Sequence, residues 1–507
     1  MKRNLRLIGY VSAAALLAAL ATTSSAEVKA QTLRVANLDA PPNRGDPQTG
    51  LSYQHVYTWE ALHDSLTSVD PDGKPVGRLA ASWENKSPDT WVFKLRPGVK
   101  FHSGQPFTAD AIVSSVRYII SDDGKTQAAA VYGSLRHLAG ATKVDDLTVE
   151  VKTTGPSPIL PWEIGALKIV DNKAWADLGR DGFGKAPSGT GPFRVTSWDN
   201  TKMEATRYMD GVRKPKVAGL LIYFMPEGAT RVQAFQSGAV DIALGIGSDS
   251  RAAIQAAGGT INTGPAPSVS VLTFNQSKGG FTTDRRVRLA MNLAVDKSYT
   301  QTLLGGFGRP ANQPAARTVN GYQADIPPYP FDPDRAKALL AEAGFKNGLK
   351  VVAEIVTNNA DLTNTYQHVA QNLSRVGVNM ELRIISLPDL VARVNGAKQP
   401  EGEMHVFNYG SNPSIDMMRS INAFHSCRYA QKWTCFPEIE DTINMVNTEF
   451  DPAKRAAGLR RIAQFYNEQA PAIWLYEQYE LDAVSSKVKN YKSENWRINW
   501  ADIELGG

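Results

Sequence analysis

From residue 31 onward, hydrophobic positions recur along the chain with two different periods, which predicts a mixture of strands and helices. The run TLRVANLD, residues 32–39, has the apolar spacing of a buried strand. In residues 53–66 the apolar side chains recur at helical spacing instead. Two alternating runs around the turn at residues 87–89 predict a β-hairpin, and a helix with Thr108 as its N-cap follows. This alternation predicts a mixed α/β protein.

The remainder of the chain continues in the same manner. Short apolar runs predict further strands, and periodic segments bounded by aspartate or glycine predict helices. Strands are predicted at residues 147–153, 220–225, 349–356 and 378–385, and helices at residues 228–238, 284–304, 332–344 and 364–377.

Residues 1–30 have the pattern of a secretory signal peptide. Three basic residues precede an apolar run at residues 7–21, which is too short to span a bilayer comfortably. Cleavage after Ala26 and cleavage after Ala30 both fit the small residues that follow. No cysteine lies near either position, so no lipid anchor is expected. The sequence predicts a freely diffusing protein of a bacterial periplasm that does not insert into the membrane.

Length and composition limit the classes of protein. The chain has 507 residues, 42% of them hydrophobic and 21% charged, which is typical of a globular protein with two or three domains. Its formal net charge of +5 is small for this size. The charge therefore indicates neither nucleic acid nor a membrane surface as a partner.

The chain contains two cysteines, Cys427 and Cys435. In an oxidising compartment their short separation predicts one local disulfide. Such a loop contributes about 2–3 kcal/mol of stability by the loop-entropy estimate. The competing interpretation, a redox or zinc pair, needs different spacing and more ligands.

Motifs for catalysis, metals and nucleotides are not found in the sequence. There is no HExxH and no GxSxG, and the glycine-rich run GTGPF lacks the lysine and hydroxyl residue of a nucleotide loop. The sequence therefore predicts neither an enzyme nor a cofactor. The scattered histidines are interpreted as structural or surface residues: His55, His63, His102, His137, His368, His405 and His425.

Several motifs together identify a family. With them the chain resembles the family 5 extracellular solute-binding proteins, which are receptors for dipeptides, oligopeptides, nickel chelates and related solutes and serve ATP-driven importers. The resemblance extends over almost the whole chain after the signal. The motifs are SW at residues 82–83, FKLRPGVKFHSG at 93–104, PFTADA at 106–111, SGTGPF at 188–193, SGAVDIA at 237–243, DRRVRLAMNLAVDK at 284–297 and DPDRAKALLAEAGF at 332–345.

The resemblance implies an α/β fold of the two-lobed periplasmic binding protein type, namely type II of the large cluster that has an extra subdomain. The ligand would lie in a cleft between lobes that are joined by two crossing segments and close by a hinge. Residues 265–275 and 471–484 are extended enough to be these crossings. The implied parts are lobe I at residues 31–50, 187–267 and 480–507, an inserted subdomain at residues 51–186, and lobe II at residues 268–479.

The resemblance also points to a ligand site upstream of the cysteines. Peptide-binding members carry a Trp-x-Gly-Asp segment there, whose aspartate pairs with the terminal ammonium of the ligand. In this chain Tyr409 would take the place of the tryptophan and Asn412 that of the aspartate, unless a shifted gap brings Asp416 to the ligand. The ligand is therefore expected either to lack a free α-ammonium or to meet Asp416. The candidate contacts are Asn408, Tyr409, Gly410, Ser411, Asn412 and Asp416.

A second set of candidates lies elsewhere in the chain. Asn37 and Asp39 follow the first strand, Tyr132 and Gly133 precede the run SLRHL, and Asn275 ends the first crossing. Two arginines are possible partners of a ligand carboxylate through a bidentate fork: Arg383 and Arg393.

The sequence thus predicts a monomeric periplasmic receptor that binds a small polar solute without chemistry and docks on the membrane subunits of an ATP-driven importer. A peptide or amino-acid conjugate is the first expectation for the ligand, and an opine, an oligosaccharide or a nickel chelate are alternatives. An exported hydrolase that uses the same cleft is the alternative from another class. A periplasmic chaperone or signalling partner that kept the fold and lost the ligand is a third.

Overall fold

The computed structural model describes residues 31–357, 360–394 and 396–506. The expected signal peptide at residues 1–30 lies outside the described residues. Within the described ranges, no helix combines the length and apolar character needed to cross a membrane.

The first third of the described chain forms a strand, a helix and a subdomain built on a four-stranded antiparallel sheet in the order β4-β5-β7-β6. Ile112 and Val116 of α2 are fully buried in the core of this subdomain. The predicted hairpin is confirmed as β4 and β5. The elements are β1 (Thr32–Asn37), α1 (Tyr53–Leu62), β2 (Thr67–Val69), β3 (Pro75–Gly77), β4 (Ala80–Ser87), β5 (Thr90–Leu95), α2 (Ala109–Ile120), α3 (Asp122–Gln127), α4 (Ala129–Leu135), β6 (Leu138–Asp145), β7 (Thr148–Thr153), α5 (Leu160–Glu163) and α6 (Asn172–Lys185).

The helix predicted at residues 53–66 is shorter in the structure and ends at Leu62. The chain becomes extended at His63, and the next residue, Asp64, is buried. Its carboxylate accepts hydrogen bonds from Arg213 Nε at 2.8 Å and from the Thr190 hydroxyl at 3.0 Å. These distant partners hold the chain in the extended path, which local periodicity does not reveal.

Lobe I, defined here by the strands around β1, contains a mixed sheet. β1 is parallel to β10 and β11, and β10, β9 and β8 continue the sheet in antiparallel pairs. The predicted stop of α7 at Gly238 is confirmed, since this residue has φ 70°. The elements are β8 (Phe193–Trp198), β9 (Lys202–Arg207), β10 (Gly219–Phe224), α7 (Gly228–Gln236), β11 (Ile242–Ala243), α8 (Arg251–Ala256) and β12 (Gly259–Phe274).

Lobe II, defined here by the elements between β12 and β18, is larger and contains more helix. β14 lies between β15 and β16, both parallel to it, and β16 joins β12. The elements are α9 (Arg285–Leu293), α10 (Tyr299–Thr302), β13 (Arg309–Pro310), α11 (Pro333–Glu342), β14 (Leu349–Ile355), α12 (Ala360–Ser374), β15 (Val378–Ile384), α13 (Leu387–Val394), β16 (Met404–His405), β17 (Tyr409–Gly410), α14 (Met418–Phe424), α15 (Pro437–Thr448) and α16 (Pro452–Gln469). After β18 (Ala472–Ser485) the chain returns to lobe I with β19 (Val488–Lys489), β20 (Ser493–Glu494), β21 (Arg497–Ile498) and β22 (Glu504–Leu505).

The single helix predicted at residues 284–304 is wrong in its length, because the structure has two helices, α9 and α10. Between them the Asp296 side chain accepts from Ser298 N at 2.9 Å. Buried Lys297 reaches the Ala311 carbonyl with Nζ at 2.8 Å. A side chain that binds the backbone nearby competes with the helix, and this explains the break.

Two long antiparallel strands, β12 and β18, join the lobes. At one end β18 pairs with β11 of lobe I, and at the other end β12 pairs with β16 of lobe II. Their pairing is irregular between Pro265 and Val269. The expected fold with two crossing segments is therefore confirmed, and the irregularity lies between the two lobes.

Candidate ligand-binding site

The stretch Asn408–Asp416 lies on lobe II beside the crossing strand. β17 pairs with β12, Ser411 N donates to the Pro267 carbonyl at 2.8 Å, and the Asn408 side chain accepts from Val271 N at 3.4 Å. Because β12 runs through both lobes, this pairing places the residues after β17 at the boundary between them.

Tyr409 is fully buried. Its ring stacks on His425, with 3.6 Å between the ring centroids and 15° between the planes. Trp474 lies 5.1 Å away on the same core. Protein side chains therefore surround the Tyr409 ring. The resemblance had predicted that this ring contacts the ligand.

Asp416 is held inside lobe II. Its carboxylate accepts from Arg455 Nη1 at 2.8 Å, from Asn320 Nδ2 at 2.8 Å and from Met418 N at 2.9 Å. The residue is 1% exposed. Of the two alternatives that the sequence leaves open, Asn412 is the residue that lines a cavity between the lobes.

This cavity, called here the first cavity, is enclosed by parts of the chain that are far apart in the sequence. Residues 47–60 supply one wall, residues 165–168 of the subdomain a second, and Asn412, Pro413 and Arg497 a third. About 10 Å³ of space remains, which leaves room for about one water molecule. Arg497 Nη2 donates to the Pro413 carbonyl at 2.9 Å across the boundary, so the described conformation is closed.

The walls of the first cavity carry more positive than negative charge. Lys168 Nζ lies 3.1 Å from Glu60 Oε1, and both side chains are about nine-tenths buried. Arg497 has no carboxylate within 4.0 Å among the described residues, and it donates to the Ser68 hydroxyl at 2.5 Å and to the Pro413 carbonyl. Its buried Nε has no partner in the part of the chain that the structure describes.

The pKa of Glu60 reports the same imbalance. Burial acts to raise the pKa of Glu60, but the positive charges around it together outweigh burial and hold the pKa below its ordinary value. In decreasing order of effect these charges belong to Lys168, Arg497, Arg213 and Arg78. Burial lowers the pKa of Arg497, and Glu60 opposes this shift. A guanidinium remains protonated at neutral pH. The first cavity therefore retains one cation for which the described residues supply no counter-ion.

Arg497 reaches the cavity because the C-terminal tail folds back over α1. The Trp496 ring stacks on Tyr53, with 5.2 Å between the centroids. Trp496 has φ 59°, a left-handed conformation that is unfavourable for a bulky side chain, and its N–H donates to Glu480 Oε1 at 2.7 Å. Arg497 is absent from the residues predicted by sequence, because no motif in the tail links it to a cleft.

The turn of the tail rests on two buried carboxyl groups of β18. Burial raises the pKa of Glu480 to about 8, and the neighbouring Asp482 adds to this shift. Burial likewise raises the pKa of Asp482 to about 6. The hydroxyls of Ser493 and Tyr491 donate to Glu480 and Asp482, respectively. These two carboxyl groups therefore help to hold the tail that carries Arg497 in place.

We expect the free energy of unfolding to fall between about pH 5 and about pH 8 because of these acids. Their pKa values are raised by folding, so the folded state binds more protons than the unfolded state in this range, and increasing pH favours unfolding. Glu480→Gln, which is neutral at every pH, should reduce this decline by about 1–3 kcal/mol. Urea unfolding followed by circular dichroism measures the free energy of unfolding at each pH. The matched control is Glu438→Gln on the surface, which should keep the pH dependence of the wild type. An unchanged pH dependence in Glu480→Gln would contradict the prediction.

Two predicted candidates lie at the end of β1 and shortly after it. Asn37 is fully buried, and its Nδ2 donates to the Gln54 carbonyl at 2.8 Å. The Asp39 side chain is 65% exposed and lies 3.3 Å from His55 Nε2. Neither residue lines the first cavity.

The other candidates are dispersed. Asn275 is buried at the end of β12, where its Oδ1 accepts from Ser277 at 2.6 Å. Tyr132 packs against the subdomain core. Gly133 lines a separate cavity between the subdomain and lobe II.

Both candidate arginines have carboxylate partners within lobe II. Arg383 lies at the surface and pairs with Glu401 at 2.7 Å. Buried Arg393 pairs with Glu354 at 2.9 Å. These pairs account for the two guanidinium charges without a ligand.

The predicted disulfide is confirmed. The sulfur atoms of Cys427 and Cys435 are 2.06 Å apart, and the loop begins directly after the buried residues His425 and Ser426. The disulfide therefore lies next to the segment whose His425 ring stacks on Tyr409, and it restrains that segment.

Comparison with known proteins agrees with this geometry. The model of the bacterial extracellular solute-binding proteins, family 5 Middle, matches residues 74–432. A glutathione-binding protein, GsiB of Pectobacterium atrosepticum, is 25% identical over 449 residues, which cover 85% of this chain and 86% of that protein. A dipeptide-binding protein of Escherichia coli is 25% identical over 520 residues, covering 94% of each chain.

A solved structure shows the same fold. The periplasmic binding protein DppA of Helicobacter pylori, in complex with the peptide STSA, superimposes with a TM-score of 0.81 at 20% sequence identity. The match covers 94% of this chain and 98% of the other. The proteins matched are binding proteins of importers rather than enzymes.

Proposed function

The chain belongs to family 5 of the bacterial extracellular solute-binding proteins, and from this we propose that its first cavity captures a small solute that carries a carboxylate. In this role it is a periplasmic receptor that binds without chemical conversion and delivers the solute to the membrane subunits of an ATP-driven importer. The glutathione-binding and dipeptide-binding relatives support a peptide or amino-acid conjugate as the class of solute.

The unpaired charge of Arg497 is the observation that carries this proposal. Arg497 is partly buried, and withdrawing a cation from water without a counter-ion is unfavourable. Charge-assisted hydrogen bonds from a guanidinium to a carboxylate are among the strongest in proteins. Because Nε has no partner in the described chain and the Nη atoms bind only neutral oxygens, a ligand carboxylate would supply the missing charge. A ligand ammonium at the same place would add to the repulsion.

The neighbouring polar groups suit a neutral part of the ligand. Asn412 Oδ1 and Ser411 Oγ are buried, and neither has a hydrogen-bond partner among the described residues. A free α-ammonium would need a carboxylate here, but Asp416 is already bound to Arg455. An amide N–H or a hydroxyl can bind to Asn412 without a charge. We therefore propose a ligand whose amino group is blocked or absent near Asn412.

Access to the first cavity requires the lobes to separate, since the closed form has room for about one water molecule. We propose that the hinge lies at residues 265–269 of β12 and the facing residues 477–479 of β18, where the pairing of the two strands is irregular. A ligand that bridges Arg497 of lobe I and Asn412 of lobe II would favour a form in which the lobes are close but further apart than in the described conformation, because it contacts both lobes only when they approach each other.

Two measurements test the proposal. Native mass spectrometry of the purified protein should show a retained small molecule with an acidic group. Calorimetry should then give N-acetyl-Ala-Ala at least about tenfold higher affinity than the cationic Ala-Ala amide, because only the former presents a carboxylate and a blocked amino group. A retained ligand without an acidic group, or equal affinity for the two probes, would overturn the proposal.

A further inference from the structure

A second cavity, of about 470 Å³, lies between the inserted subdomain and lobe II. The subdomain contributes residues from α4, from the loop after β7 and from α5, and lobe II contributes α14 and α15. The second cavity shares no lining residue with the first. Glu163, at the end of α5, lines the second cavity, whereas Gly165 and Ala166, two and three residues further on, line the first. This segment therefore borders both cavities.

Positive charge predominates in the second cavity. Its ionisable lining residues are Arg136, His137, Glu163, Arg419 and Arg428. Glu163 lies 3.1 Å from His137 Nε2, so it is already paired. Neither Arg136 nor Arg419 has a carboxylate within 4.0 Å among the described residues, although Arg428 has Glu440 at 3.8 Å. Two guanidinium groups from opposite sides thus have no carboxylate at ion-pair distance, and Glu163 acts on Arg419 only from further away.

Arg419 is the more strongly constrained of the two. Its Nε is buried and has no hydrogen-bond partner in the described part of the chain, and its guanidinium carbon lies 5.7 Å from the Phe424 ring centroid. Burial lowers the pKa of Arg419 to about 10, so the group remains charged at neutral pH. An unpartnered donor on a charged side chain beside a cavity indicates a site for an acceptor.

Arg136 marks the opposite side. It is exposed, and its Nη2 donates to the Asn422 carbonyl of α14 at 3.3 Å. This bond already connects the subdomain to lobe II. The neighbouring side-chain amides of Asn422 and Asn447 form two hydrogen bonds with each other, at 2.7 and 2.9 Å. The charged groups are therefore the side chains that are available to a ligand.

We propose that the second cavity binds a small oxyanion, a carboxylate or a phosphate, between Arg136 and Arg419. Such an anion accepts hydrogen bonds from both guanidinium groups. A carboxylate offsets one of the two positive charges, and a phosphate dianion offsets both. Because the two arginines belong to the subdomain and to lobe II, the bound anion also strengthens the contact between these parts. The site is independent of the solute that occupies the first cavity.

The experiment measures the binding of succinate and of inorganic phosphate to the whole secreted chain. Calorimetry and chemical-shift changes of the protein follow the binding. Saturable binding of at least one anion is expected, and the comparison of the two identifies the preferred oxyanion. Arg419→Gln and Arg136→Gln should each weaken this binding about tenfold or more, whereas Arg460→Gln, an exposed arginine paired with Asp325, is the matched control and should leave it unchanged.

Several results would overturn this proposal. Absence of saturable binding of both anions to the wild-type chain would do so, as would unchanged binding in both Arg136→Gln and Arg419→Gln. Loss of anion binding in Arg497→Gln, with binding retained in Arg419→Gln, would place the anion in the first cavity instead. Arg136→Gln changes an exposed residue, so it keeps the test valid if Arg419→Gln fails to fold, and thermal unfolding establishes that each variant is folded.

Discussion

Replacing Arg497 by glutamine is expected to lower the affinity for N-acetyl-Ala-Ala by about 30-fold or more. Truncating one partner of a buried charge pair costs about 2–5 kcal/mol, and every 1.4 kcal/mol is about tenfold in the dissociation constant. The effect should be large because Arg497 is the one lining residue of the first cavity whose charge has no partner among the described residues. Calorimetry with purified wild-type and variant protein measures the loss.

The unliganded protein should respond in the opposite direction. Without ligand, Arg497 is a partly buried cation with no carboxylate within 4.0 Å among the described residues, so Arg497→Gln removes an unfavourable charge and should leave the melting temperature unchanged or raised. Lower affinity together with undiminished stability separates a ligand contact from a structural residue. Arg460→Gln is the matched control for affinity. Unaltered affinity in Arg497→Gln would contradict the role given to this residue.

Replacing Asp416 by alanine is expected to reduce the free energy of unfolding by about 3–5 kcal/mol, because it leaves the charge of Arg455 buried without a partner. The lost bonds to Asn320 and Met418 N add to the cost. Urea unfolding followed by circular dichroism measures the change. This is the largest stability effect that we expect from a single substitution near the cleft.

The control for Asp416→Ala is Asp325→Ala. Asp325 also pairs with an arginine, Arg460, but both side chains of this pair are largely exposed, and exposed pairs contribute less than about 1 kcal/mol. Calorimetry with N-acetyl-Ala-Ala under conditions where the Asp416 variant is folded should give the wild-type affinity. A strong loss of affinity with wild-type stability would instead make Asp416 a ligand contact.

Several features could be predicted from sequence because they depend on neighbouring residues. Asp332 caps α11 by accepting from Arg335 N at 2.9 Å, and Gly344 after that helix has φ 93°, as its position predicts. The cysteines are close enough in sequence to pair with each other. Helix lengths were predicted less well, because buried Asp64 takes a partner 149 residues away and buried Lys297 takes one 14 residues away, beyond the reach of a helical pattern.

The candidate site was predictable on one side only. The family motif near the cysteines directs attention to Asn412, and this residue lines the first cavity. The same motif cannot decide about Asp416, because its partner Arg455 lies 39 residues further along the chain. Nor does any motif contain Arg497, which becomes a neighbour of Pro413 only when the tail has folded over α1.

By itself, the sequence determined the class of the protein, the alternation of strands and helices, the disulfide and the family, since these follow from local periodicity, short-range spacing and the order of motifs. Only the tertiary structure decided which charges are neutralised. The free energy of a buried charge depends on the groups within a few ångströms, whatever their separation along the chain. For this reason the commitment of Asp416 to Arg455 and the unpaired state of Arg497 emerged only from the folded molecule.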